Sequence, residues 1–340
     1  MLLGLRLQIT RLNMWKGDST VVELDVLAKE RRKALTRNLG ILPILIAFFL
    51  VFWILTPNFR SFANMMNIFR ATSINLVIAT GMTIVILTGG IDLSVGAIAA
   101  LTAVVALKLS LTTASFLAVP AALLTGMVAG LINGGLVAYV GLPPFIATLG
   151  AMTYLRGAAF LLCNGVSIIN SDLSFAWLGN DYLGPFPWLM VTAVLVVLVA
   201  YWVLRKTVYG MRIYSVGGNL QAARYTGIKV QNMLLSAYVI SGLCSALGGV
   251  MIASRLYSAN GLIGNGYELD AIAAAIIGGT SFTGGKGSVI GTLFGALIMG
   301  ILNNGLTILG VSYYSQQVVR GVVIIAAVTV DILRNKYSKK

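Results

Sequence analysis

Long runs of apolar residues make up most of the chain, and short polar or glycine-rich segments separate them. A helix that crosses a membrane needs roughly 20 apolar residues, so these runs have the length of membrane spans. The pattern predicts spans near residues 40–56, 71–88, 91–107, 115–141, 145–163, 188–204, 233–256, 269–282, 288–310 and 312–333. The weakest is 269–282, which is short and ends in glycines. We therefore predict an all-α membrane protein, a polytopic bundle of about ten transmembrane helices.

Composition agrees with this class and restricts the chemistry. Hydrophobic residues make up 58% of the chain and charged residues only 10%, whereas about a quarter of an ordinary soluble domain is charged. This excludes a soluble globular enzyme. The sequence contains no histidine, and Cys163 and Cys244 lie in apolar stretches where cysteine usually acts as a small buried hydrophobe. We therefore expect no enzymatic activity, no metal site and no cofactor bound by this chain.

The basic residues predict how the chain is oriented. A net charge of +14 does not indicate nucleic-acid binding, because the sequence leaves no soluble basic module to hold a nucleic acid. Lys and Arg concentrate instead at 1–39, 205–232 and 334–340, outside the predicted spans. An even number of spans places all three segments on one side. Cytoplasmic segments carry an excess of Lys and Arg, so we expect all three in the cytoplasm, around a transmembrane domain at 40–333.

Glycines recur at four-residue spacing within two of the predicted spans, at Gly126, Gly130 and Gly134 and again at Gly291 and Gly295. Small residues at this spacing allow two helix backbones to approach closely in lipid. The spacing therefore predicts helix packing, and it carries no information about function.

A faint internal repeat is more informative. GLINGGL at 130–136 matches GILNNGL at 300–306, and glycine-containing breaks follow spans at Gly89-Gly90 and Gly278-Gly279. Many transporters are built from two related halves, with the substrate path at their interface. The repeat predicts two weakly related halves and makes the breaks candidates for a gate.

Three acidic residues lie near predicted span ends. Asp92, in the break GGIDLSVG, either caps the third span, which the helix dipole favours, or belongs to a gate or hinge on the cytoplasmic side. Glu268 and Asp270 begin the short eighth span and suggest the same capping role. No carboxylate is predicted at the centre of a span, although ion-coupled carriers commonly have an ionisable group there.

Two arginines are predicted within spans, Arg156 and Arg320, both toward the outer third. Each either reaches the outer interface or pairs with an acid there, or it contacts an extracytoplasmic partner or a passing substrate.

The string GGKGS at 284–288 does not fit a phosphate-binding loop. That loop requires a glycine five residues before the Gly-Lys pair and Ser or Thr directly after the Lys, whereas Thr280 and Gly287 stand there. If this transporter uses ATP, another chain must bind it. Within 205–232, Asn219 can cap a short helix over 220–226 that Gly227 closes in a left-handed conformation. Two turns are marginal alone in water, so such a helix either docks against something or is a plain juxtamembrane loop.

Several long strings in the sequence resemble the permease subunits of bacterial ribose-type sugar ATP-binding cassette (ABC) importers. They are GMTIVILTGGIDLSVG at 81–96, PPFIATLG at 143–150, VGGNLQAARYTGI at 216–228, YELDAIAAAIIGGTSFTGGKGSVIGTLFGALIMGILNNGL at 267–306 and QQVVRGVVI at 316–324. The resemblance runs from about residue 45 to the end. The segment before residue 40 departs from the pattern.

The resemblance implies a ten-helix permease of the bacterial inner membrane with both termini in the cytoplasm. It implies a second permease copy, in a homodimer or heterodimer, a periplasmic sugar-binding protein, and cytoplasmic ATPases that hold ATP and Mg. The loop matching 217–227 then docks into the ATPase, and its coupling candidates are Gly217, Gly218, Asn219, Ala222, Ala223 and Gly227.

The expected function is passage of a neutral monosaccharide by alternating access. The candidates for the path or gate are Gly89, Gly90, Asp92, Asn133, Asn303 and Asn304. The three asparagines carry neutral hydrogen-bonding groups suited to a polyol, although helix packing would use the same residues. The cargo is expected to be ribose, or alternatively another pentose or hexose, an inositol or a furanose-like signal. An ion-coupled secondary carrier and a membrane-embedded enzyme are the rivals from other classes.

Overall fold

The computed structural model describes residues 41–337, with side chains to residue 332. The predicted segment 1–39 lies outside the described residues, as do the side chains of the predicted tail 334–340. The α-helices in this part of the chain are α1 Leu42–Leu55, α2 Phe62–Leu87, α3 Val95–Ser110, α4 Ala118–Gly135, α5 Pro144–Leu162, α6 Ala176–Asn180, α7 Trp188–Lys206, α8 Val208–Gly218, α9 Leu220–Tyr225, α10 Val230–Leu256, α11 Tyr267–Ile277, α12 Val289–Ile308 and α13 Tyr313–Tyr337.

Short irregular elements complete the chain. Two 3₁₀ segments, Pro57–Arg60 and Ser115–Leu117, precede α2 and α4, and a π-helical turn, Leu136–Val140, ends α4. The strands are two residues each and pair antiparallel: β1 Ile168–Ile169 with β4 Ser258–Ala259, and β2 Tyr182–Leu183 with β3 Phe186–Pro187.

Each of the ten predicted spans corresponds to a helix. Seven of the described helices are long and apolar enough to cross a membrane. The remaining three, α1, α3 and α11, have 14, 16 and 11 residues. The all-α, polytopic membrane class is confirmed.

Two helices differ from their predicted bounds for identifiable reasons. Helix α2 begins at Phe62, well before the predicted start at residue 71. The prediction began late because the polar residues Asn64, Asn67 and Arg70 lower the hydropathy of the first turns of the helix. Helix α11 ends at Ile277, where Gly278 and the left-handed Gly279 stop it. Its length is about 16 Å at 1.5 Å per residue, well short of the bilayer core.

Helix α10 lies at the centre of the bundle, packed against α2, α3 and α4. A Cβ on Gly126 would meet the Gly242 carbonyl oxygen, and one on Gly130 would meet the backbone of Tyr238, both in α10. Gly291 and Gly295 face the backbone of the α11 segment in the same way. The glycine spacing therefore marks helix-packing faces, as predicted, because backbones approach closely only where no side chain intervenes.

The bundle has two distinct ends. The C-terminus of α2 and the segment before α12 lie beside α8, where the Gly285 N–H donates to the Leu87 carbonyl over 2.9 Å and the Tyr214 hydroxyl donates to the Gly287 carbonyl over 3.0 Å. This is the α8–α9 end. The first turns of α2 and the last turns of α10 and α12 lie at the opposite end, the cavity end, because each of these helices runs the length of the bundle. The short α11 begins partway along the bundle, where Asp270 lies beside Asn75 of α2.

Candidate functional site

A polar cavity of about 430 Å³ opens at the cavity end between α2, α10, α12 and α13. Side chains from these four helices converge on it although they are far apart in sequence. The cavity is lined by Asn67, Ala71, Thr72, Asn75, Arg255, Gly300, Asn303, Asn304, Thr307, Gln316 and Arg320. Apart from Ala71 and Gly300, every lining residue has a hydrogen-bonding side chain. A cavity of this size and polarity suits a small hydrophilic solute.

Hydrogen bonds hold the predicted asparagines of α12 in place. The side-chain amides of Asn304 and Asn64 form two reciprocal hydrogen bonds of 2.9 and 3.0 Å, which join α12 to α2. Asn303 accepts from the Arg320 Nε over 2.9 Å, which joins α12 to α13. Three of the predicted residues, Asn303, Asn304 and Arg320, therefore meet in one cavity.

Asp270 also stabilises the guanidinium of Arg320. Its Oδ2 lies 3.6 Å from the Arg320 Nη1 and accepts from the Asn75 amide over 3.4 Å. The prediction that Asp270 caps its helix is therefore wrong, because its side chain points to α13 and α2. Glu268 does accept from the Gly266 backbone N–H over 3.2 Å, as a residue at the start of a helix is expected to.

Parts of the cavity wall have unused hydrogen-bonding capacity. The Thr72 hydroxyl and the Asn75 Oδ1 are buried and have no hydrogen-bond partner among the described residues. Asn67 is exposed on the same helix. Buried polar atoms are costly when unpaired, so these groups are suited to hydrogen-bonding a hydrated or hydroxylated solute.

Asn133 does not belong to this cavity, although it was grouped with Asn303 and Asn304. It is fully buried, and its amide donates to the Ser94 hydroxyl over 2.8 Å. The repeated Asn segments lie in helices that run in opposite directions, and neither Asn133 nor its partner Ser94 lines the cavity. The path prediction for Asn133 is thus not supported by the location of the cavity.

Asp92 is fully buried between α2 and α3 and is not a helix cap. Ser94 is the N-cap residue of α3. The Asp92 Oδ1 accepts from the Ser94 N–H at 3.0 Å and the Ser94 hydroxyl at 2.6 Å, and the Oδ2 accepts from the Ser241 hydroxyl of α10 at 2.9 Å. Asp92 therefore fastens the break after α2 to α10 and, through Ser94, to Asn133 of α4.

The predicted gate glycines lie next to this acidic residue and close to α9. Gly89 has a left-handed backbone with φ of +84°, and a Cβ on Gly90 would lie 2.7 Å from the Tyr238 hydroxyl. Both glycines line a smaller cavity of about 280 Å³ that Leu220 of α9 also borders. The break and the α9 helix are thus neighbours, with a void between them.

The short helix predicted at 220–226 is present as α9. The Asn219 Oδ1 accepts from the Ala222 N–H over 2.9 Å, and Gly227 follows the helix with φ of +81°. Ala223 is buried in a small apolar cluster with Val216 and Val230. The opposite side of α9, including Ala222, is exposed.

The cations around α8 and α9 are exposed. The ion pair found among residues 41–332 joins Arg320 to Asp270, beside the polar cavity. The exposed cations at the α8–α9 end are Arg205, Lys206, Arg212, Arg224 and Lys229. Within the part of the chain that the structure describes, the segment 205–232 therefore presents a positive surface around an exposed helix.

Arg156 lies at the cavity end but outside the cavity. Its Nη1 donates to the Gly261 carbonyl over 2.8 Å, in the loop between α10 and α11. Of the two arginines predicted as outer contacts, Arg156 is bound to a loop carbonyl and Arg320 to an acid and an amide.

The cavity contains residues that the sequence interpretation missed, chiefly Asn67, Asn75 and Arg255. A signal was present, because Asn64, Asn67 and Asn75 recur at helical spacing on α2. This polar stripe lay mostly before the predicted span start.

The similarities of the chain to known proteins agree with this architecture. Residues 64–328 match the family described as branched-chain amino acid transport system / permease component. The ribose import permease of Escherichia coli (strain K12) is 45% identical over 286 residues, covering 82% of this chain and 88% of the relative. The ribose import permease of Bacillus subtilis (strain 168) is 46% identical over 281 residues, covering 82% and 87%.

A third relative carries a different name. The D-allose transport system permease of Escherichia coli (strain K12) is 41% identical over 301 residues, covering 87% of this chain and 91% of the relative. No solved structure matches the chain. With a family model that covers most of its length and relatives above 40% identity, the chain belongs to this family of transport-system permease components.

Proposed function

We propose that this chain is the membrane-spanning subunit of an ABC importer and forms the translocation path for a neutral monosaccharide, ribose. The observation that carries the proposal is the 45% identity to a ribose import permease across 82% of the chain. The chemistry of the cavity is consistent with it. Asn, Gln and Thr side chains provide neutral donors and acceptors that match the hydroxyl groups of a sugar.

The proposed orientation puts the cavity end outside the bacterial inner membrane and both termini in the cytoplasm. The exposed cations of 205–232 favour this arrangement, because cytoplasmic segments carry an excess of Lys and Arg. A periplasmic binding protein then delivers the sugar to the cavity between α2, α12 and α13. A second permease copy completes the path.

The driving force in this proposal comes from a separate ATPase, which holds ATP and Mg²⁺. Helix α9 and its neighbours provide the docking surface, since α9 is exposed, capped at both ends and held by only a small apolar cluster. Movement of the docked segment shifts the helices around the cavity, so access alternates between the two sides. The permease itself makes or breaks no covalent bond.

The test is uptake by reconstituted complexes. The chain is purified with its genomically neighbouring ATPase and binding protein and placed in proteoliposomes, and uptake of radiolabelled ribose and allose is measured with ATP inside. We expect ribose uptake that requires ATP and both partners. Preference for allose, whose permease is 41% identical, would show that the cargo is allose and not ribose. The assignment to ABC importers would be unchanged. Uptake that persists without the ATPase would identify an ion-coupled carrier and overturn the proposal.

A further inference from the structure

The segment between α11 and α12, residues 278–288, folds into a tight loop that we call the glycine loop. The Ser281 N–H donates to the Lys286 carbonyl over 2.8 Å and closes it. Gly284 and Gly285 have φ of +84° and +70°, a conformation that strains any other residue. The GGKGS string that resembles a phosphate loop is part of this turn.

The glycine loop is packed directly against α8. The Tyr214 hydroxyl donates to the Gly287 carbonyl over 3.0 Å. A Cβ on Gly217 would collide with the Leu87 carbonyl oxygen and lie 2.6 Å from the Gly285 nitrogen, and one on Gly285 would lie 2.7 Å from the Gly218 Cα. The contact is therefore between backbones, with no flexible side chain to absorb a displacement.

Two further helices are fastened to the same loop. The Gly285 N–H donates to the Leu87 carbonyl at the end of α2 over 2.9 Å. The Asp331 Oδ2 of α13 lies 3.3 Å from both the Ser281 hydroxyl and the Phe282 N–H, and accepts from them. The loop is also continuous with α11 and α12. It therefore joins α8 to four helices of the bundle.

Three of these helices, α2, α12 and α13, line the polar cavity at the far end of the bundle, and α11 carries the Asp270 that pairs with Arg320. Along α2, Leu87 and the cavity residue Asn75 are 12 residues apart, about 18 Å along a rigid helix. We propose that the glycine loop is a second transmission element, which carries displacement of the α8–α9 segment to the cavity walls independently of the covalent connection from α9 to α10. This inference rests on the proposed function.

Rigidity is what makes the loop suited to this role. Close-packed backbone contacts shift between discrete arrangements and do not deform gradually. A substitution that loosens the contact should therefore separate ATP hydrolysis from sugar movement while leaving ATPase docking intact. Although Gly217 was predicted as a coupling residue, Gly217 and Tyr214 contact the glycine loop and the end of α2, whereas the proposed docking surface is the exposed side of α9.

The test uses the complete complex of permease, ATPase and binding protein in proteoliposomes. Tyr214→Phe removes only the hydroxyl that binds Gly287, and Gly217→Ala inserts a methyl group into the backbone contact. The matched controls are Ser215→Ala, whose hydroxyl bonds Met211 within α8, and Gly135→Ala, a helical glycine with open space at its Cβ. Sugar uptake, ATP hydrolysis and co-purified ATPase are measured for each.

We expect sugar taken up per ATP hydrolysed to fall about threefold or more in both variants, with co-purified ATPase unchanged, and to stay at the wild-type value in both controls. If Gly217→Ala fails to assemble, Tyr214→Phe decides alone. A wild-type ratio in Tyr214→Phe, or a loss of uptake that parallels loss of bound ATPase, would overturn the inference. Absence of uptake by the wild-type complex would instead refute the proposed function.

Discussion

At the scale of single residues, neighbouring positions of the same type have different environments. Gly217 and Gly218 were predicted together as coupling residues, yet a Cβ would collide with backbone at Gly217 and meet nothing within 4 Å at Gly218. Capping was one of two roles predicted for Asp92 and the role predicted for Asp270, and both residues bind side chains of other helices. Sequence identifies a small or acidic residue, but its partner depends on which helix lies opposite.

The Asp92 site allows a direct test at this scale. Ser241→Ala removes the hydroxyl that donates to the Asp92 Oδ2 and leaves a buried carboxylate oxygen without that donor. We expect destabilisation of about 1.5–3 kcal/mol, the usual range for a hydrogen bond to a charged group. Thermal unfolding of the purified protein in detergent gives the measurement. Ser245→Ala is the control, since Ser245 is equally buried one turn away and bonds only the Ser241 carbonyl of its own helix. Equal effects of the two substitutions would contradict the role assigned to Asp92.

At the scale of elements, α9 and α11 show what local sequence encodes. Helix α9 was predicted from Asn219 and Gly227, because a cap and a left-handed glycine act within a few residues and do not depend on the rest of the fold. The length of α11 was overestimated, because the uncharged stretch 278–282 was included in the span although the backbone turns at Gly279. Capping signals therefore located helix ends better than hydropathy did.

The capping of α9 leads to a functional prediction. Asn219→Ala removes the acceptor for the Ala222 N–H, which costs about 0.5–2 kcal/mol at a helix start. A two-turn helix has little stability to lose, so we expect α9 to unravel and the amount of co-purified ATPase to drop. Asn219→Ser retains a capping oxygen and should keep the ATPase bound. Retention of the ATPase by the alanine variant would show that α9 is not the docking element.

At the scale of the whole molecule, the fold brings separate helices together at the polar cavity. Asn67 of α2 lies more than 230 residues before Asn303 of α12 in the sequence, and both line the same space. No local pattern predicts that meeting, because it depends on which faces of α2, α10, α12 and α13 turn toward one another.

Asn67 is suited to testing the cavity as the sugar path. It is exposed, so Asn67→Ala should leave thermal stability unchanged. Loss of one hydrogen bond to the sugar, about 0.5–1.5 kcal/mol, should raise the KM for uptake roughly twofold to tenfold. Asn265→Ala is the control, because Asn265 is exposed at the same end outside the cavity. Unchanged KM in Asn67→Ala would place the path elsewhere.

The sequence by itself determined the membrane class, the approximate positions of ten helices, the glycine faces and the cap of α9. These features follow from local hydropathy, residue spacing and backbone preference, which act over a few turns. Only the tertiary structure placed Asn133 with Asp92 and away from Asn303, assembled the cavity, and set the glycine loop against α8. Those outcomes depend on contacts between residues far apart in the chain, and such contacts are decided by how the helices pack.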